Sequence, residues 1–371
     1  MDPVSHLVLA RMVAAVRTSR DMPRGVVAAT VLGGLAPDID AALMAVGWDV
    51  YLRWHELGTH AIAGTPLVAL LTAVVVRTWA PALSLPALVF AAWLGALSHV
   101  FFDIYSGATI RLLWPISSEV VSMPVVAMAD PLAIGTVLSG AAALWVWPRR
   151  PRAAAMLTLS LLLAVGAVKL TTRTRALAAY VTQVAATRTM PQEAAVEARW
   201  GSWREWFLYD RLADGTVRAF VIDGWSKALH LRFSHSANRE RAFARDSLAH
   251  FATARNFAPA YPFAFATRRE TDDGAVVFWS DARFCGTAAE RADPQHDVPH
   301  QDVRPARGHV RCALWFGGSL DAQGHPIEAL VWLGGHLQRR SPESWAIEEW
   351  TEDGGRRTVA TPRSSIRLST P

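Results

Sequence analysis

Residues 86–105 read PALVFAAWLGALSHVFFDIY, an apolar run whose one histidine and one carboxylate, His99 and Asp103, stand four residues apart. Twenty residues of that kind rise about 30 Å as a helix, the thickness of a bilayer's hydrocarbon core. The run reads as a membrane span that carries two functional groups near one end. A spacing of four stacks them one turn apart on one side of the helix. Three further runs have the same character: Ala61 to Trp79, Pro131 to Trp147 and Ala153 to Leu170, with Trp at several ends, where an interfacial belt places it. A fifth stretch, Val26 to Val46, is interrupted by Pro37-Asp38-Ile39-Asp40. Two carboxylates at membrane depth require a protein interior or a wet cavity, so it reads as a broken or re-entrant element. His6 to Val16 reads as a short helix ahead of it.

The composition divides in the same way. The chain has 371 residues, 51% hydrophobic and 19% charged, too apolar for a uniformly soluble protein and too polar for one that lies wholly in the membrane. Charge is sparse over 26–172 and concentrated after 190. The fold class expected is mainly α, a polytopic transmembrane helical bundle with a C-terminal α+β soluble domain. Its domains are a membrane-embedded helical part over 1–175, a soluble α+β part over 190–345 and a polar tail over 346–371. In the soluble part, strands are expected at Trp203 to Asp223 around Ala213-Asp214-Gly215, at Ala275 to Phe284, and at His309 to Gly318 and Pro326 to Gly335 about the turn Asp321 to Gly324, with one helix near Asn238 to Arg255. The Trp-rich strands read as core and interface packing.

The net charge of +5 is spread without a dense basic block, which excludes a nucleic-acid partner. The first residues lack the basic flank, long apolar run and cleavage site of a signal peptide. Arg149, Arg150 and Arg152 between the third and fourth spans, with Arg77 after the first, set one face as cytoplasmic. His60, Asp103, Asp130 and the C-terminal domain then fall on the periplasmic face. A multi-pass protein of a bacterial inner membrane is the expected location. The two cysteines, Cys285 and Cys312, lie in the polar half, so a metal site must use His, Asp or Glu.

The apolar half holds His6, Asp38, Asp40, His55, Glu56, His60, His99, Asp103 and Asp130. All but His6 have an ordinary reading: a hydrogen-bonded core pair for His99 and Asp103, helix caps for Asp38 and Asp40, a solvated loop for His55-Glu56, a helix entry capped by Thr59 for His60, and a helix start at Asp130-Pro131. Nine such groups in the least polar stretch point to a shared purpose. Imidazole and carboxylate are ligands for a divalent ion, zinc first, with manganese or iron as alternatives. His6, Asp38, His55, His60, His99 and Asp103 are the candidate ligands. Asp40, Glu56 and Asp130 are candidates for general base or supporting partner. His296 and His300 fall in a Pro-broken polar stretch and are left out of the site.

These residues also carry a family resemblance. Asp2-Pro3-Val4-Ser5-His6, Pro37-Asp38-Ile39-Asp40, His55 to His60, His99 to Asp103, Trp114-Pro115-Ile116-Ser117 and Asp130-Pro131, in that order, resemble the membrane-bound metal-dependent hydrolases, also described as LexA-binding, inner-membrane-associated hydrolases. The resemblance covers roughly residues 1–175. It departs where the family has a basic residue within His-Arg-Gly-x-Thr-His and this chain has Glu56-Leu57. The resemblance implies hydrolysis of an ester or phosphoester at a metal ion. A site at the lipid boundary suits an amphiphilic substrate such as a phospholipid or an isoprenoid-linked phosphate, so membrane lipids are the expected partners. The alternative is a non-catalytic membrane scaffold whose His/Asp cluster is structural. A transporter is disfavoured because no paired repeats are apparent.

Overall fold

Proline in the first turn recurs along the N-terminal half, where its missing N–H has no helical acceptor to lose. In the computed structural model α1 (Pro3–Arg17), α4 (Thr65–Arg77), α5 (Leu85–Tyr105), α6 (Pro131–Val146) and α7 (Pro151–Thr187) all start this way. Between α1 and α4 lie α2 (Arg24–Gly33), a 3-10 segment (Ala36–Ala45) and α3 (Trp48–Trp54). The structure describes residues 2–17, 22–128, 130–287, 310–333 and 336–342; His296, His300 and the tail 346–371 lie outside them. Two compact units result, Met1–Ser234 and His235–Pro371.

In the first unit α2, α4 and α5 pack through small residues, Ala29, Ala69, Ala73, Ala91 and Ala92, all fully buried. Small residues let helix backbones approach closely in an apolar medium, where lipid supplies no hydrophobic drive. The crossing of α2 and α5 is the tightest case. A Cβ on Gly33 would meet the backbone of Ala92, and one on Gly95 would meet the backbone of Thr30 and Gly34. A second core joins α1, α5, α6 and α7 through Leu9, Met12, Tyr105, Val137 and Leu162.

The helical unit also carries a sheet. β1 (Glu193–Ala198), β2 (Glu205–Arg211), β3 (Thr216–Asp223) and β4 (Leu229–Ser236) form a four-stranded sheet in chain order. Its buried face, with Val196, Trp206, Leu208 and Ile222, packs on Ala176, Tyr180 and Val184 of α7. The Tyr180 hydroxyl donates to Asp210, whose carboxylate also accepts two bonds from Arg218 at 2.9 and 2.6 Å.

In the second unit α8 (Ala242–His250) and α9 (Ala252–Phe257) lie on a five-stranded antiparallel sheet ordered β11-β10-β9-β6-β5. Its strands are β5 (Ala264–Thr271), β6 (Gly274–Asp281), β9 (Leu314–Asp321), β10 (Pro326–Leu333) and β11 (His336–Arg340). Thr253 donates to the Gly317 carbonyl at 3.0 Å, and the Trp279 indole donates to Ser247 at 2.8 Å. The ribbon of β7 (Cys285–Thr287) and β8 (Val310–Cys312) is closed by the disulfide Cys285–Cys312.

This architecture overturns the expectation of a mainly α, polytopic helical bundle. Among the described residues two helices are long and apolar enough to cross a membrane, Leu85–Tyr105 and Pro151–Thr187, or three if Arg24–Gly33 and Ala36–Ala45, bent by 46°, make one broken span. The other two expected spans form shorter helices. At 13 and 16 residues, α4 and α6 rise only about 20 and 24 Å. Apolar composition overstates their length because flanking apolar residues close turns instead: Ala61 bonds back to Gly58 and Gly64 to Ala61, and Pro148 ends α6.

Replacing Gly95 with Leu should force α2 and α5 apart and lower the thermal midpoint of the helical unit, at a cost of about 1–3 kcal/mol or more. Gly135→Leu, where a Cβ meets nothing within 4 Å, should leave the midpoint unchanged. Thermal unfolding of both variants in detergent, followed by circular dichroism, decides this.

Candidate metal centre

The close crossing of α2 and α5 brings the Gly34 carbonyl to 2.8 Å from His99 Nδ1. A carbonyl only accepts, so Nδ1 carries the proton and, in the neutral ring, Nε2 presents a lone pair. His60 is set by an analogous relay. The Thr59 hydroxyl donates to Asp40 Oδ2 at 3.0 Å, so its oxygen accepts from His60 Nδ1 at 3.0 Å. That leaves His60 Nε2 as a second lone pair, 3.2 Å from His99 Nε2.

Two carboxylate oxygens join them. Asp103 Oδ2 is 2.9 Å from His99 Nε2 and 3.6 Å from His60 Nε2, and Asp38 Oδ1 is 3.4 and 3.7 Å from the same atoms. His60, His99 and Asp103 form one compact group of candidate ligand atoms and Asp38 joins His99 and His6 in another, so acceptors crowd about His99, which is unfavourable without positive charge between them. A proton on one imidazole would serve a single contact at a time, whereas a cation among His60, His99 and Asp103 serves all three. Ligands about 2.0–2.1 Å from a tetrahedral zinc ion stand about 3.3 Å apart. The five separations above, 2.9 to 3.7 Å, bracket that value. The compact group of His60, His99 and Asp103 thus fits a divalent cation held by two imidazoles and a carboxylate, with Asp38 Oδ1 beside it against both imidazoles.

The remaining groups stand around this set. His6 donates through Nε2 to Asp103 Oδ1 at 3.0 Å and stacks on His99 with ring centres 3.8 Å apart. Burial pulls its imidazole below the ordinary value, which keeps the ring neutral, and its Nδ1 is buried with no hydrogen-bond partner. His6 is itself positioned by the start of α1, where Asp2 accepts from the Ser5 amide and hydroxyl at 2.9 and 2.6 Å. A ligand atom of His6 also lies in one compact group with Asp38 and His99.

Asp40 accepts from His55 Nδ1 at 2.8 Å, the Glu56 amide at 3.2 Å and the Thr59 hydroxyl. Three donors satisfy it, so it orients His55 and Thr59. Burial lowers the His55 imidazole, but the bond to Asp40 and the charge of Glu56 outweigh this and hold it above its ordinary value. The Glu56 carboxylate, pushed up by burial, lies 3.7 Å from His55 Nε2. Its backbone has φ of 65°, a left-handed conformation uncommon for a residue with a side chain.

The structure gives Asp130 a different set of partners. It caps α6 by accepting from Leu132 N at 2.9 Å, and it pairs with Lys169 at 2.5 Å, both residues fully buried. Sequence reasoning overlooked Lys169, one of two lysines in the chain. Its isolation in an apolar run was the available signal. Thr59 and the Gly34 carbonyl were overlooked as well, because tautomer-setting partners carry no pattern of their own.

Comparison with known proteins bears on this half of the chain. Residues 1–176 match the family described as YdjM inner membrane protein. Every residue of the cluster lies inside that YdjM-like segment. Over 154 residues the chain is 26% identical to the uncharacterized protein YfhP of Bacillus subtilis (strain 168), an alignment covering 40% of this chain and 46% of YfhP. The chain thus spans about half the length of that relative. No solved structure matches it.

Removing one partner of a buried pair strands the other charge, at a cost of about 3–5 kcal/mol. Asp130→Ala should therefore destabilise the protein by that amount, and the double variant Asp130→Ala with Lys169→Met should recover most of the loss. Chemical denaturation of the three proteins in detergent measures the difference.

Proposed function

We propose that the YdjM-like half is a membrane-embedded, metal-dependent hydrolase acting on an ester or phosphoester of an amphiphilic lipid. The observation that carries this reading is the convergence of lone-pair atoms from His60, His99 and Asp103, 2.9 to 3.6 Å apart, with Asp38 Oδ1 3.4 and 3.7 Å from the two imidazoles. A divalent ion bound there supplies a Lewis acid that polarises the ester oxygen and brings the pKa of water toward neutrality. Zinc suits the donor set best, with manganese or iron as alternatives.

The chain's own residues have separable tasks. His60 and His99 are locked by Thr59 and Gly34, and Asp103 by His6, so three of the four ligands are held rigidly. Asp38 has the most exposed ligand side chain, at 27% against 6% or less for the other three. Access to the reacting centre then runs past Asp38. Glu56, a carboxylate not occupied in the Asp40 relay, takes the role of general base, while Asp40 positions His55 and Thr59. Asp130 is engaged with Lys169 and takes no part.

A second reading rests on the same geometry. With Asp38 recruited as a fourth ligand the coordination would be complete, and structural sites are closed in this way whereas catalytic ones keep an open position. Under it the cluster stabilises the helices and the protein is a scaffold. For topology, we place the chain as a multi-pass inner membrane protein with its C-terminal part in the periplasm. The arginines at 149, 150 and 152 and the Cys285–Cys312 disulfide support that orientation.

The full-length protein, purified in detergent and repleted with zinc or manganese, should carry stoichiometric metal by elemental analysis. His99→Ala and Asp103→Asn should lose it while keeping their helical content. Glu56→Gln should keep the metal and hydrolyse phospholipid or isoprenoid-linked phosphoester about 10²–10⁴-fold more slowly. Metal without turnover on any such substrate selects the scaffold, and wild-type protein without metal removes the hydrolase and leaves a scaffold held by hydrogen bonds.

A further inference from the structure

The α6–α7 hairpin carries tryptophans at both ends. At the turn, Trp145 and Trp147 are 84% and 54% exposed, next to Arg149, Arg150 and Arg152. At the other end the tryptophans come from the sheet. Trp200 and Trp203, in the β1–β2 loop, and Trp225, in the β3–β4 loop, are 64%, 46% and 60% exposed. Soluble sheets rarely leave three large aromatics of neighbouring loops in water.

Their contacts fix where along α7 they stand. The buried Thr172 hydroxyl donates to the Trp203 carbonyl at 2.9 Å, and Gly224 abuts the Thr172 backbone. The Arg175 guanidinium lies over the Trp225 ring at 4.9 Å, and Trp203 meets Trp225 edge to face at 6.3 Å. From Arg150 to Thr172 the helix rises about 33 Å, close to the thickness of a hydrocarbon core. Between these levels α7 presents Leu157, Leu161, Val168 and Leu170 outward. Beyond them its buried side packs on the four-stranded sheet through Ala176, Tyr180 and Val184.

We infer that the β1–β2 and β3–β4 loops are a membrane-interface anchor, with Trp200, Trp203 and Trp225 seated in the phospholipid headgroup layer at the end of the α7 span. Indole is suited to that layer because its body is apolar and its N–H seeks a wet partner. Arg175, stacked on Trp225, brings a positive charge to the level of the phosphates and keeps its stem along the apolar surface. The four-stranded sheet is then held to the bilayer by its loops as well as by α7, on the opposite side from Trp145 and Trp147. This inference rests on α7 crossing the membrane and is independent of any hydrolytic activity.

The test uses the full-length protein in liposomes of phosphatidylcholine and phosphatidylglycerol. Tryptophan emission is compared between wild type and a variant carrying Trp200→Phe, Trp203→Phe and Trp225→Phe, with lipids brominated either near the headgroup or near the chain end. The emission lost in the variant should be that which shallow bromines quench, several-fold more strongly than deep ones do, and aqueous acrylamide should quench it weakly. Strong acrylamide quenching with no effect of brominated lipid would overturn the anchor and leave the loops in water. Shielding from both quenchers would also overturn it, by showing a protein contact. If the triple variant does not fold, the single Trp225→Phe variant gives the same readout at an exposed ring.

Discussion

The N-terminal unit is organised around an electrostatic deficit. His60, His99 and Asp103 bring lone pairs together, with Asp38 against both imidazoles, in surroundings where water contributes little screening. Unpaired, such an arrangement would open, because carboxylates and imidazole nitrogens at these distances are costly to desolvate together. What holds it is a set of bonds behind the ligands. His99 is pinned by a backbone carbonyl, His60 by a hydroxyl that is itself pinned by Asp40, and Asp103 by His6. Each bond requires a particular helix contact, and the most demanding is the crossing of α2 and α5, where Gly33 and Gly95 leave no room for a side chain.

The same logic extends along α7, whose 37 residues rise about 55 Å, well beyond a hydrocarbon core. Its first part faces outward with leucine and valine. Its last four turns instead support the four-stranded sheet through Tyr180 and Val184. The change of partner is marked by polar groups that would be unfavourable in lipid unless paired: Lys169 with Asp130, Thr172 with the Trp203 backbone, and Tyr180 with Asp210 and Arg218. One helix thus serves as both membrane span and the support of a polar sheet.

Much of this was legible in the sequence because two of its signals are local. The spacing of His99 and Asp103 placed both on one helix face, and the order of apolar runs located the helices from α4 to α7. The hairpin turns at Asp214-Gly215 and Asp321 to Gly324 were equally readable, since Gly215 and Gly324 adopt positive φ. Lengths were not legible. Hydropathy counts apolar residues whether they continue a helix or close a turn, so residues 61–64 and Trp147 were assigned to spans that stop short of them. The continuation of α7 through Arg173 and Arg175 was also hidden, because its partner is a sheet whose first strand, β1, offers one large apolar residue, Val196. Polarity, a shared membrane face and the motif Asp130-Pro131 group Asp130 with the site in sequence, whereas its partner Lys169 lies 39 residues away.

The cluster is asymmetric, and that asymmetry bears on what it does. Three ligands sit on regular helix or in a tightly bonded loop and are backed by partners in the next layer. Asp38 sits on the 3-10 segment after a 46° bend and has its close contacts with His60 and His99 of the cluster itself. A purely structural site gains nothing from one weakly held, partly exposed ligand, since rigidity there raises affinity. A site that exchanges a ligand for substrate benefits from that inequality, because the ligand least restrained is the first to yield its position. The uneven support of Asp38 and the other three residues is therefore what the proposed chemistry at this centre would use, with Asp38 as the group that gives way.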